Sequence, residues 1–319
     1  MSRLIIAAVD PYRADREPVA LGASLARATG TSLRIVGVYP EATAGHALGG
    51  DERDQAAHEH ALHGIERMLR ELGAGPEEIH GVAYTVEALP GPSPARVLHE
   101  MAERENAAVV VTGSTHRGMF GRIVPGSMTE RLVHGSPCPV AVAPRGYDDA
   151  GRMLNHIGVA YAGTPEGELA LQSAVSLARR ANAELLAFSV INPVLYAPGT
   201  ASVHGYRTYP PTDADAEELQ RRAINAEGKL KSRLAEVSVG VDAEAVVIRD
   251  GTVDSLVEQT ADIDLLVCGS RGYGPLSAVL LGGVTHMLML QSRCPLLLIP
   301  RGATNALTDL MTATEATRA

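Results

Sequence analysis

One pattern occurs twice in this chain, and that repeat limits the possible folds more than any other feature. The stretch from Val110 to Thr129 runs parallel to the stretch from Leu266 to Thr285: Gly113, Ser114, Gly118, Gly126 and Thr129 recur 156 residues later as Gly269, Ser270, Gly274, Gly282 and Thr285. The same offset carries Ser136, Cys138, Pro139 and Pro144 onto Ser292, Cys294, Pro295 and Pro300. Near the start of each half, Leu4 to Asp10 answers to His156 to Ala162 at an offset of 152, so small loop insertions separate the copies. A repeat of this length means that one unit of about 150 residues builds its own core and is then built again.

Within each unit the apolar pattern alternates between short continuous runs and helical stripes. In the first half, strands are expected at 4–9, 33–38, near 82–87, 107–112 and 138–143. The helices between them run over about 17–29, closed by Gly30, over about 52–72 with Leu62, Ile65, Leu69 and Leu72 as its stripe, and from Ser93 with Pro94 in first position. The second half repeats this with strands near 156–161, 184–190, 243–249, 263–268 and 294–299. Short all-apolar strands alternating with helices indicate an open parallel sheet covered on both faces, here two such sheets in tandem. The polar, turn-rich stretch 145–152 divides a first domain, 1–147, from a second, 153–302. Residues 303–319 show little periodicity and are expected to form a flexible tail.

Composition excludes several classes of function. The net charge of −9, from 37 acidic and 28 basic residues, opposes a polyphosphate backbone, so nucleic acid is not an expected partner. No run approaches the roughly 20 apolar residues of a membrane span, and the N-terminus lacks a signal pattern. A soluble, cytoplasmic protein is the expectation. Lys229 and Lys231 are the chain's lysines and both fall in an amphipathic stretch, so a phosphate would have to be held by arginine or by backbone. Cys138, Cys268 and Cys294 form no CxxC pair and sit in or beside apolar strands, as buried reduced thiols do.

In an open parallel sheet, ligands bind beyond the carboxyl ends of the strands, where the strand order reverses. The glycine segments follow the fourth strand of each half. A helix opening with Gly126 and Ser127, or with Gly282 and Gly283, presents unpaired N–H groups and a positive dipole end to an anion. Met128 and Thr129, or Val284 and Thr285, continue that first turn, where Ser127, Thr129 and Thr285 add hydroxyls.

The spacing Gly, two residues, Gly, nine residues, Gly, then Ser or Thr resembles the ATP motif of the universal stress protein family. Gly269, Gly272 and Gly282 match it in the second half, with Arg271 beside the middle glycine and Gly283 in place of the hydroxyl residue. Gly113, Gly126 and Ser127 match it in the first half, where the middle glycine is His116. His116 either blocks the loop conformation a glycine permits or donates to phosphate; with Arg117 and Arg122 beside it, the loop reads as one that has kept an anionic ligand. The resemblance implies an adenine nucleotide alpha hydrolase-like fold with five strands per sheet in the order 3-2-1-4-5. It also implies adenine and ribose contacts from an aspartate ending strand one and a valine late in strand two. Asp10, Val38 and Val190 occupy those positions, but the second half has Ala162 where the aspartate belongs. Losing one such hydrogen bond costs about 1–3 kcal/mol where a partner is left unpaired.

Other signals carry less. His58, His60 and His63 do not share one helix face and are read as a solvated surface rather than a metal site. Gly272-Tyr273-Gly274 lacks the third glycine of a dinucleotide fingerprint. Tyr196, Tyr206 and Tyr209 belong to a loop. Ser127 near a helix start is a cap or phosphate donor before it is a nucleophile.

On that resemblance the expected function is nucleotide-dependent sensing or regulation in a stress response, with ATP or another adenine nucleotide as ligand, Mg²⁺ as an open companion, and at most slow hydrolysis. The alternatives are a nucleotide-free interaction module with degenerate sites and, last, an ATP-using enzyme. The resemblance further implies that the final strands, Pro139–Pro144 and Pro295–Pro300, pair edge to edge as an internal pseudo-dimer, with homodimerisation open.

Overall fold

The computed structural model describes residues 4–13, 15–41, 50–114, 123, 126–191, 213–249, 253–269, 288 and 291–300. The first half contains β1 (Leu4–Val9), α1 (Glu17–Thr29), β2 (Ser32–Tyr39), α2 (Gly50–Glu71), β3 (Glu78–Ile79), β4 (Val82–Pro90), α3 (Pro94–Arg104), β5 (Val109–Gly113), α4 (Ser127–Gly135) and β6 (Val140–Ala143). The second contains β7 (His156–Ala160), α5 (Pro165–Ala181), β8 (Glu184–Val190), α6 (Asp213–Val237), β9 (Ala243–Ile248), α7 (Val253–Gln259), β10 (Leu265–Gly269) and β11 (Leu296–Ile299). Each strand read from the pattern is present within a few residues of its expected bounds. Among the described residues, no helix is long and apolar enough to cross a membrane.

The sheet order is β3-β4-β2-β1-β5-β6-β11-β10-β7-β8-β9. Setting the two-residue β3 aside, each half reads 3-2-1-4-5, with parallel pairing throughout. The two sheets join into one through the edge pairing of final strands that the resemblance implied. β6 and β11 pair antiparallel, Leu296 against Val142 and Leu298 against Val140. Both strands are fully buried, so each satisfies the other's open edge. Pro139, Pro144, Pro295 and Pro300 flank the ladder and keep it short, because proline supplies no N–H.

β3 was not expected. Glu78–Ile79 folds back on Val82–Ala83 through His80 and Gly81, at φ 48° and 79°, the double positive φ of a tight hairpin turn.

Strands buried on both faces need apolar helices on each side. α1, α2, α5 and α6 cover one face and share a single cluster that crosses the joint, with Leu21 and Leu25 on one side and Leu171 and Leu177 on the other. α3, α4 and α7 cover the opposite face around Leu98, Leu132 and Leu256. The copies have diverged by exchanging volume: Ile6 and Val36 of the first half correspond by register to Gly158 and Phe188 of the second. A Cβ at Gly158 would lie 3.0 Å from the Phe188 ring and 2.5 Å from Ile263.

The polar stretch between the halves is strapped down. Tyr147, Ala150 and Leu154 are buried, and the Arg152 guanidinium pairs with Asp264 at 3.1 Å. Arg27 donates to the carbonyls of His80 and Ala150, both at 2.9 Å, and Arg180 of α5 donates to Thr29 of α1 at 2.8 Å.

Candidate functional site

The strand-one end of the first half begins with a turn written in its residues. Asp10 followed by Pro11 is the ordinary chemistry of a turn's first two positions. The Arg13 N–H donates to the Asp10 carbonyl at 3.2 Å, and the Tyr12 N–H donates to Asp10 Oδ1 at 3.0 Å. Arg13 Nε lies 3.5 Å from Oδ2, so both carboxylate oxygens have partners within the turn.

Helix α2 clamps this turn from outside. Gly64 makes that possible, because a Cβ there would collide with the Pro11 carbonyl oxygen, well inside 3.0 Å. From the same helix His60 stacks on Tyr12 with ring centroids 5.5 Å apart, and His58 meets Tyr39 edge-on at 5.9 Å. His63 Nδ1 contacts the Glu59 carbonyl at 2.8 Å, one turn back on its own helix. Partial burial, then the neighbouring Asp10 carboxylate, hold the Tyr12 hydroxyl above the usual phenol range.

Beyond the carboxyl ends of β1, β2 and β5 lies a cavity of about 680 Å³. It sits at the β1/β5 switch point, where an open parallel sheet places its ligand. The structure brings Asp10, Val38, Gly113, Gly126, Ser127, Met128 and Thr129 to its wall, with Val36 and Leu98 as apolar floor. α4 starts at this wall with Gly126 in an extended conformation, φ −86° and ψ 166°, and no side chain caps it. The first N–H groups of a helix have no intrahelical acceptor, so those of Ser127, Met128 and Thr129 form the polar end of the cavity. Ser127 is exposed, whereas Thr129 is buried and turns its hydroxyl towards Thr112 Oγ1 at 3.2 Å and the Gly113 carbonyl at 3.5 Å. Thr129 therefore ties α4 to β5 and offers the cavity its backbone.

The strand-four glycine of each half also has a packing role. A Cβ at Gly113 would come 3.3 Å from the Pro18 ring, and one at Gly269 would come 2.5 Å from the Glu166 carbonyl oxygen. Each glycine lets the first helix of its half start close to the sheet.

In the second half Val190 ends β8 and Gly269 ends β10, while Ala162 is exposed and carries no acceptor. The preceding Tyr161 donates to Glu168 of α5, which accepts from Arg233 of α6 at 2.9 Å. Burial, together with the Glu168 carboxylate, pushes the Tyr161 hydroxyl up to about 12. His116, Arg117, Arg271, Gly272, Gly282, Gly283, Val284 and Thr285 lie outside the described residues, as do Arg122, the loop tyrosines 196, 206 and 209, and the tail 303–319.

The thiols are buried and free. Burial raises all three, Cys138 to about 11 and Cys294 to about 12. Lys229 and Lys231 are exposed on α6, the latter paired with Glu227 at 2.7 Å.

Sequence reasoning missed Tyr12, Arg13 and Tyr39 on the cavity wall; it named His58 and His60 only as part of a solvated helix surface, and they meet Tyr39 and Tyr12. The Asp-Pro turn was the available signal for the first two; nothing local marks the others.

The profile of the universal stress protein family matches residues 1–144 and again 153–300. The chain is similar to universal stress protein Rv2319c of Mycobacterium tuberculosis, 29% identical over 243 residues, covering 74% of this chain and 76% of the relative. Rv2005c of the same organism is 31% identical over 204 residues, covering 62% and 63%. A universal stress protein structure from Archaeoglobus fulgidus superposes with a TM-score of 0.61 at 18% identity, covering 95% of this chain and all 100% of that one. At that identity the likeness is one of fold.

Proposed function

The chain belongs to the universal stress protein family, and on that premise we propose that its first half binds an adenine nucleotide, ATP foremost, and acts through nucleotide-dependent shape or partner binding. The observation that carries this reading is the first-half cavity. Seven residues singled out from sequence converge on it, and its 680 Å³ falls in the ordinary range for a small-molecule site. Its chemistry fits the ligand in parts. Val36, Val38 and Leu98 offer apolar surface to a base, Asp10 offers an acceptor for a ribose hydroxyl or the amino group, and the α4 N–H groups face a phosphate. Magnesium, a cytoplasmic setting and slow hydrolysis at most belong to the same proposal.

The halves are not equivalent in this reading. Ala162 removes the strand-one acceptor from the second half, which supports a weaker or vacant nucleotide role for it and a structural role at the β6/β11 joint. Denaturing the purified protein and identifying released nucleotide with its molar ratio tests both points. A ratio near one, abolished by Gly126→Val and kept by Gly282→Val, assigns the first half; a ratio near two assigns both. No released nucleotide and no ATP-dependent thermal shift would overturn the proposal.

A further inference from the structure

Arg13 is the one cationic side chain among the described residues that line the first-half cavity, and it belongs to no part of the glycine motif. The Asp10 turn folds it back onto the carboxylate it follows. Both partners are open to solvent, the Arg13 side chain at 65% and the Asp10 side chain at 38%. An ion pair that exposed is weak, because water screens it and two side chains must be ordered to form it. The other Asp10 oxygen is held independently by the Tyr12 N–H, so the carboxylate keeps its place when Arg13 leaves.

Resting on the nucleotide reading above, we propose that Arg13 makes this site distinguish phosphorylated from unphosphorylated ligands. Arg13 exchanges the Asp10 carboxylate for the phosphate chain, and Asp10 passes to the ribose or base. A guanidinium matches phosphate oxygens two at a time, and its bond to a full anion is stronger than a neutral contact. The lysines are on the exposed surface of α6, so the cation for this role is an arginine. A nucleoside without phosphate must displace the guanidinium from Asp10 and offers nothing in return. A nucleotide supplies the replacement partner itself.

Titration calorimetry on the full chain with ATP, AMP and adenosine, for wild type, Arg13→Gln and Arg13→Lys, tests this. Arg13→Gln is expected to weaken ATP about tenfold while adenosine binding stays equal or tightens a few-fold, with Arg13→Lys between. Wild-type ATP affinity should also fall more steeply with salt than that of Arg13→Gln. Unchanged ATP affinity in Arg13→Gln, or equal losses for ATP and adenosine, would overturn the proposal, the second outcome leaving Arg13 as a turn residue alone. A wild-type protein that binds none of the three overturns the nucleotide reading itself.

Discussion

Gly64 and Gly228 are both glycines inside helices, and the structure assigns opposite signs to the same substitution. Helix propensity alone makes Gly→Ala stabilising by about 0.8–1 kcal/mol at either place. At Gly228, in α6, an added Cβ meets nothing within 4 Å, so that gain should appear nearly whole. At Gly64, a buried position of α2, the added carbon meets the Pro11 carbonyl oxygen well under 3.0 Å away, with the carbonyl carbon at 3.0 Å. Neither neighbour is the end of a flexible side chain; backbone must move. Overpacking against backbone falls in the upper part of the usual range, about 2–3 kcal/mol, which leaves Gly64→Ala net destabilising by roughly 1–2 kcal/mol after the propensity gain. The moving carbonyl belongs to the turn that holds Asp10, so nucleotide affinity should fall as well. Urea unfolding followed by circular dichroism, with and without ATP, measures both. The reasoning fails if Gly64→Ala is as stable as Gly228→Ala and binds ATP like wild type, since α2 would then not rest on the Asp10 turn.

The strand-four glycines should differ in the same way: Gly269→Ala presses on the Glu166 backbone at 2.5 Å and is expected to cost about 2–3 kcal/mol, Gly113→Ala, against the Pro18 ring at 3.3 Å, under about 1 kcal/mol, both read by thermal unfolding. Asp10→Ala should weaken adenine nucleotide binding by about 1–3 kcal/mol, roughly 5- to 150-fold in Kd by calorimetry, because the hydrogen-bonding group it meets is left unpaired. The thiols set an alkaline limit. Cys138 and Cys294 are raised from 9.0 to about 11 and about 12, so their contribution is fully present below pH 9 and is lost as pH climbs towards those values, where the unfolded chain releases the protons first. Stability measured across pH 8 to 12 should fall in that window, and the native thiols should resist alkylation at pH 8 until the chain is unfolded.

What was legible in the sequence is what local patterning encodes. Strand β1 reads as six apolar residues because all six are buried, and α1 closes at Gly30 because a left-handed residue, φ 66°, ends the helix there. The repeat placed the glycine segments after the fourth strand, and Gly126 lies on the cavity wall with Asp10 and Val38, the two positions named from the resemblance. β3 is not legible because two residues, Glu78 and Ile79, are too few to show a strand's alternation. The linker read as a polar, turn-rich boundary, and its fastening by Arg27, Arg152 and Asp264 rests on contacts between residues far apart in the chain.

The duplicated fold was thus legible in the sequence through its repeat and its apolar periodicity, while the strand order 3-2-1-4-5 was an expectation carried by the family resemblance and is the order observed. Tertiary structure decided what depends on residues far apart in the chain: the antiparallel register of β6 on β11 within the edge pairing that the resemblance implied, the seating of Gly64 on Pro11, and the approach of Gly269 to Glu166. It also decided which side chains gather at each strand-one end: Arg13 over Asp10 shares a cavity wall with Ser127, while Tyr161 turns to Glu168 and Arg233. The physical reason is that which side chains meet depends on the packing of distant elements, and no local pattern records that meeting.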